Sequence, residues 1–277
     1  MNMSLVVPDS AAPLGFRAGV PLFRSVLLVL VLLVFQARAG AADRPVLGTR
    51  AAKLMAQTAP RLQEELTRKG FRLGTPLFIR IFKLDSTLEV WLQKEGSFQL
   101  FKTYPICSYS GYPGPKLYEG DWQSPEGFYT VGPEQLNPRS QYHLSFDIGY
   151  PNGYDRARKR TGSSIMVHGG CSSRGCFAMT DHWIEEIFLL AYSALNSGQE
   201  RFSVHIFPFP LTAENLAKFG SSPWIGFWKN LQEGYAAFEQ THQPPVITAK
   251  NGRYLVQSRI RLAMARKRDN QAVTRKR

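Results

Sequence analysis

Long apolar runs are scarce in this 277-residue chain: the longest, Val26 to Phe35, is about half of the roughly 20 residues a membrane-spanning helix needs. Its flanks explain it better than a permanent span does. Arg17 and Arg24 precede the run, and Ala37, Ala39, Ala41 and Ala42 follow it, which is the order of a secretory signal. Residues 1–42 are therefore expected to be a cleaved signal peptide, with an uncleaved N-terminal anchor as the alternative. No cysteine lies near Ala39 to Ala42, which argues against lipid attachment. Cysteine is rare altogether: only Cys107, Cys171 and Cys176 are present. An odd count in an oxidising compartment excludes complete intramolecular pairing, so one thiol is left over or pairs with another chain.

Acidic residues are also in deficit, 21 against 34 lysines and arginines, for a formal charge of +13. That balance would suit nucleic acid, but an exported protein does not meet it. Anionic envelope surfaces are the better match, with a merely solvated basic face as an equal alternative. Part of the charge is terminal. Over residues 262–277, Arg266, Lys267, Arg268, Arg275, Lys276 and Arg277 recur with few large apolar residues, so this segment is expected to be a disordered basic tail. It either tethers the protein electrostatically or solubilises it.

The rest has the 44% hydrophobic content and the aromatics of a globular domain, and no internal repeat. Arg50 to Lys69 reads as a helix with Leu54, Leu62 and Leu66 on one face, a kink or restart at Pro60, and Gly70 as its stop. The period then changes to that of strands at Leu77–Lys83, Leu88–Leu92 and Phe98–Ile106. A Gly/Pro-dense loop from Ser108 to Gln123 leads into a turn and strand ending at Val131. Further strand candidates are Tyr142–Ile148 and Ser163–His168, with a polar loop from Tyr150 to Thr161 between them. Helix returns behind a cap at Thr180 or Asp181, with Ile184, Ile187, Phe188, Ala191 and Leu195 on one stripe. Arg201–Phe207 reads as a strand, Thr212–Phe219 as a helix, and Ser222-Pro223 as another helix start. The fold class is mainly β with flanking helices (α+β). Residues 43–74 form an N-terminal helical segment, 75–210 the central domain, and 211–261 a helical extension with a final strand.

Chemistry concentrates between Ile165 and Asp181. A strand delivers His168 into a Gly/Ser loop, which delivers Cys176 to the start of a helical segment. An imidazole or a helix N-terminus beside a cysteine favours the thiolate nucleophile. Gly169, Gly170 and Gly175 let the loop fold back on itself, and the N–H groups of Gly175 and Cys176 are candidates for an oxyanion contact. Two other readings compete: a packed His168 beside a Cys171–Cys176 disulfide, and a zinc site from His168, Cys171, Cys176 and His182. The zinc spacing matches no compact paired-ligand pattern. No metal and no cofactor is expected.

His168-Gly169 followed by Ser173-Arg174-Gly175-Cys176, and preceded by Ser124-Pro125-Glu126-Gly127-Phe128-Tyr129, resembles the YkuD-type L,D-transpeptidase catalytic domain, most closely its YafK-like branch. Cys107 to Gly111, Gly114-Pro115-Lys116, Glu119-Gly120-Asp121, Tyr150-Pro151-Asn152 and the continuation to Asp181 are similar as well. The resemblance covers roughly residues 75–210 and implies a β-sandwich or barrel-like catalytic domain. It implies Cys176 as nucleophile, His168 as base and Gly169 as the carbonyl that orients the base. One departure stands out: Arg174 replaces a histidine of the mainstream motif. Ser173 and Arg174 are candidate substrate contacts, Arg174 for a stem-peptide carboxylate unless it simply faces water. With Cys176 so assigned, Cys107 and Cys171 remain, either bridged or as two free thiols.

The function implied is cysteine acyl transfer on peptidoglycan stem peptides in the periplasm, in wall biogenesis and cell shape. Hydrolysis of the amide joining diaminopimelate to wall-bound lipoprotein is the first expectation and L,D-transpeptidation the second. A non-catalytic cell-wall-binding protein is the alternative of another class.

Overall fold

A computed structural model describes residues 47–257. The first element, α1 (Thr49–Arg68), buries Ala51, Met55, Thr58, Leu62 and Leu66 along one stripe. It runs through Pro60 without the restart that the sequence suggested. A continuous buried stripe on both sides of Pro60 holds the two halves to one packing surface.

Three strands follow as an antiparallel meander: β1 (Leu77–Phe82), β2 (Thr87–Lys94) and β3 (Ser97–Pro105). In β1 every residue is buried, as a strand covered on both faces requires. Leu77, Ile79 and Ile81 enter the main core, whereas Phe78 and Phe82 pack on the opposite side. β2 alternates instead, with Leu88, Val90 and Leu92 inward. β5 (Gly127–Val131) and β10 (Phe202–Phe207) complete a five-stranded sheet of order β3-β2-β1-β10-β5, in which β1 and β10 are parallel.

A second, smaller five-stranded sheet has the order β4-β9-β8-β7-β6. Its strands are β4 (Ser108–Tyr109), β6 (Leu136–Asn137), β7 (Ser145–Asp147), β8 (Met166–His168) and β9 (Phe177–Ala178). The expected strands Tyr142–Ile148 and Ser163–His168 are thus shorter than their apolar patterns, because pairing stops where Gly149 and Ser164 leave the extended conformation at φ 80° and 56°. Phe146, Val167 and Phe177 point from this sheet into the main core, and Phe146 meets Phe202 of the first sheet at 5.6 Å between ring centroids. The architecture is α+β, two β layers with helices at the flanks.

α2 (Gly153–Ala157) is a short helix within the stretch expected to be a polar loop, capped by the Asn152 side chain. α3 (Asp181–Asn196) buries the anticipated stripe, and the Glu185 and Glu186 side chains on it take hydrogen bonds from Thr58 and Arg61 of α1. α4 (Ala213–Lys218) and α5 (Ile225–Thr241) cover the second face of the first sheet, where Phe238 packs on Phe78 and Trp228 on Phe209. Beyond them the structure corrects the expectation of one final strand. β11 (Val246–Lys250) and β12 (Arg253–Gln257) form a hairpin, docked by Tyr254, which stacks on Tyr154 at 4.2 Å. The expected signal segment and basic tail lie outside the described residues.

One buried ion pair ties the sheets to the long loop. Lys83, fully buried just past β1, donates to the carbonyls of Gly114 at 2.8 Å and Ser124 at 2.9 Å and to the Glu126 carboxylate at 3.1 Å. Glu126 also accepts from the Gly114 N–H at 2.6 Å and the Trp228 indole at 2.8 Å. Burial pulls the Lys83 ammonium below its ordinary range, and Glu126 opposes that pull. Removing one partner strands the other charge in the interior. Lys83→Met and Glu126→Gln are each expected to lower stability by about 3–5 kcal/mol, read from urea unfolding. Losses below about 1 kcal/mol in both, the scale of an exposed pair, would contradict a pair shielded from water.

Candidate active site

The small sheet places its outward side chains in two rows. Opposed residues in a ladder share a face, and successive residues alternate. Ser145 pairs with His168 and His168 with Ala178, so these three share a row; Asp147 pairs with Met166, and Cys176, just ahead of β9, brings its sulfur to 3.4 Å from the Met166 N–H. The first row is a buried floor, with Ser145 and Ala178 at 0% exposure and His168 at 3%. Asp147, Met166 and Cys176 are each partly exposed and form the open row. The thiol is therefore partly open to solvent, while the imidazole two residues along β8 from Met166 is buried.

His168 is fixed by its own neighbour. Its Nδ1 stands 2.6 Å from the Gly169 carbonyl oxygen, and since a carbonyl only accepts, Nδ1 carries the proton and Nε2 is the acceptor of the neutral ring. Burial pulls His168 below its usual range, and the Gly169 bond offsets only part of this. The ring of Tyr142 covers it at 4.7 Å between centroids. Gly169 admits no side chain: a Cβ there would stand 2.6 Å from the Asp181 carboxylate and 2.8 Å from both the His143 Cβ and the Tyr142 carbonyl oxygen.

Cys176 is a free thiol whose Sγ lies 3.4 Å from the Met166 N–H and 3.7 Å from the Ser164 carbonyl. Burial pushes it up from the usual thiol range; the Met166 N–H opposes this, Asp147 adds to it and Lys116 works against it. It does not stand at a helix start, as the sequence suggested. The two residues of β9 intervene, and α3 begins only at Asp181. The reason is pairing: Phe177 and Ala178 are taken into the ladder against Val167 and His168. What the start of α3 contributes is a clamp, the Asp181 Oδ1 accepting the Gly170 N–H at 2.8 Å.

The Cys loop is held by three serines. Ser110 Oγ accepts the Gly175 N–H at 2.5 Å. Ser124 and Ser173 hydroxyls both donate to the Cys176 carbonyl, at 3.1 and 2.8 Å. Two expectations change as a result. The Gly175 N–H is occupied and is not an oxyanion donor, whereas the Cys176 N–H has no acceptor among the described residues. Ser173 is committed within its own loop. Arg174 is exposed, with its guanidinium 5.4 Å from the Trp122 ring centroid. Gly175 has φ +113°, a conformation side chains resist.

The structure joins Cys107 and Cys171 in a disulfide, Cα to Cα 5.3 Å, across a separation of 64 residues. That removes the alternative of a Cys171–Cys176 bridge. The four candidate zinc ligands do not converge: Cys171 is bridged, His182 faces Arg61 on α1, and no group able to hold a metal occurs among the described residues. Ser110, Ser124, Tyr142 and Asp147 were not singled out by sequence reasoning. For the two serines a signal existed, since both stand in segments similar to the family.

A partly exposed free thiol and an imidazole whose Nδ1 proton is fixed by a carbonyl, both borne by the small sheet and the loop entering it, are groups able to serve nucleophilic chemistry. The model of the L,D-transpeptidase catalytic domain, YkuD, matches residues 80–195. Over 184 residues, 66% of this chain and 75% of the relative, the sequence is 45% identical to the protein named "Putative L,D-transpeptidase YafK" in Escherichia coli (strain K12), and equally so to its counterpart in Escherichia coli O157:H7. The chain belongs to the YkuD L,D-transpeptidase family. Among solved structures it is similar to the helical cell shape determining protein Pgp2 from Campylobacter jejuni, with a TM-score of 0.39 and 20% identity over 69% of this chain and 80% of that one.

Two outcomes follow from the cysteine chemistry. Denatured, unreduced protein should show one reactive thiol and reduced protein three; three before reduction would rule out the bridge. Iodoacetamide alkylation of Cys176 should rise with pH through a midpoint above the ~8.5 of free cysteine, because the folded site disfavours the thiolate.

Proposed function

We propose that this chain is an exported, periplasmic cysteine acyl-transfer enzyme that hydrolyses the amide between diaminopimelate of a peptidoglycan stem peptide and covalently bound lipoprotein. The observation that carries the reading is a free Cys176 thiol held against the Met166 N–H of the strand that also bears His168, whose proton sits on Nδ1 against Gly169 and whose Nε2 is free to accept. Both groups are held toward their neutral forms, Cys176 by burial above its usual range and His168 by burial below its own. The pair therefore waits as thiol and imidazole, and the charge separation falls within the reaction.

In the first step the Cys176 S–H proton passes to His168 Nε2 while sulfur forms a bond to the amide carbon. The carbonyl oxygen takes the electron pair and meets the Cys176 N–H. The tetrahedral species then expels the amine, which receives the proton from His168, leaving a Cys176 thioester and a neutral ring. Water attacks the thioester as His168 accepts its proton, and collapse returns that proton to sulfur and releases the acid. If an amine of another stem replaces water, the same residues make a crosslink. That second reading is favoured by the 45% identity to a protein named for transpeptidation.

The test is to incubate mature protein with sacculi bearing lipoprotein, and with free stem peptides, and to identify products by mass spectrometry. Released lipoprotein is expected, and new crosslinks without release would decide for transpeptidation. Cys176→Ser and His168→Ala should each reduce product by at least about 100-fold. Undiminished wall phenotype and binding in Cys176→Ala would instead indicate a non-catalytic wall-binding protein.

A further inference from the structure

Of the groups on the open row, Asp147 is the one acyl transfer leaves without a task. Its place is set by register. Asp147 opposes Met166, whose N–H stands 3.4 Å from the Cys176 sulfur, so Met166 lies between carboxylate and thiol, and the charge of Asp147 reaches the sulfur across it. Its chain neighbours Phe146 and Ile148 are fully buried in the core, which fixes Asp147 on the other face. One carboxylate oxygen accepts the Gly149 N–H at 2.7 Å. The other has no hydrogen-bond partner, and the group forms no ion pair, among the described residues.

This position works against the nucleophile. A carboxylate beside a thiol that must ionise disfavours ionisation, adding here to the effect of burial. Lys116 is the opposing cation, but its Nζ is tied to Asp121 at 2.6 Å and to the Tyr118 carbonyl at 3.0 Å. His168 is the remaining titratable group on this face, and it is neutral when it acts. The bond to Gly149 does not explain the charge, because an asparagine oxygen accepts the same N–H. Burial pushes the Asp147 carboxyl up from its ordinary range and the Gly149 N–H opposes this, so a half-buried carboxylate with no ion-pair partner among the described residues fits a cation that arrives with the substrate.

We propose that Asp147 is a specificity-determining residue that receives the side-chain ammonium of the acyl-donor amino acid. The proposal rests on the reading above that the donor is diaminopimelate, whose far end carries an ammonium group. The ammonium selects the donor through a charge-assisted hydrogen bond. Paired directly with Asp147, with its own carboxylate turned away, the ammonium also offsets part of the field of Asp147 at Cys176, so the thiolate becomes more accessible when the correct donor is seated. Donors without that cation face a deactivated nucleophile and lose a contact as well.

Asp147→Asn tests both halves in the mature protein. Without substrate, the pH midpoint of Cys176 alkylation is expected to fall by up to about one unit. With substrate, wild type should favour a diaminopimelate stem peptide over its side-chain N-acetylated form by about tenfold in kcat/KM, and Asp147→Asn should lose that preference. A fold defect alone would not raise thiol reactivity while erasing a preference for one amine. An unchanged alkylation midpoint, or a preference retained in the variant, overturns the proposal. If wild type turns over no diaminopimelate peptide, the proposed reaction fails instead. Binding of the free and acetylated peptides to Cys176→Ala, with and without Asp147→Asn, then reads the role of Asp147 alone: equal affinities for the two peptides sink it, and a preference that disappears with Asp147→Asn upholds it.

Discussion

The buried pair of Lys83 and Glu126 is the contact from which the site hangs. Lys83 leaves the end of the most buried strand and gathers two carbonyls, of Gly114 and Ser124, that lie ten residues apart on one loop. Glu126 closes the same loop through the Gly114 N–H and reaches α5 through Trp228. Between these anchors lies Gln123, whose side chain bonds Tyr112 and Gly114, so little of the loop is left to move. Ser110 and Ser124 on that loop then hold the Gly175 N–H and the Cys176 carbonyl. The position of the thiol is thus transmitted from the core of the large sheet through a charge pair as well as through the short strands beside it.

Those short strands set directions. A ladder of two or three residues contributes little stability, yet it decides which side chains share a face. One face of the small sheet is apolar and belongs to the core through Phe146, Val167 and Phe177. The other carries the imidazole and Asp147, with the thiol at the entry to β9. Chemistry and packing are separated by a single peptide step, which explains how a site can sit directly on a core without being buried by it.

Much of this was legible in the sequence where the information is local. The unbroken apolar run of β1, the alternation in β2 and the stripe of α3 each announce an element through period alone. Cys176 and His168 stand within one short motif and were legible for the same reason. Elements of two residues have no period, so β4, β6 and β9 were not foreseen, and the intrusion of β9 displaced Cys176 from the helix start. The hairpin of β11 and β12 is different. Its two-residue turn is Asn251-Gly252, both at positive φ, a dipeptide that favours a hairpin on local grounds. Asp147 and Tyr142 acquire their places only through pairing and contacts across the chain, which one sequence does not display.

The Cys107–Cys171 bridge has a consequence for when the site comes into being. It closes the entry to β4 onto the loop that leads to Cys176, across 64 residues of chain. In a reducing environment the two segments are held together by hydrogen bonds alone, and a thiol meant for substrate sits among two other competent thiols. Oxidation withdraws those competitors and fixes the loop in one event. Bracing of the loop and removal of two thiols beside Cys176 are thus a single covalent event.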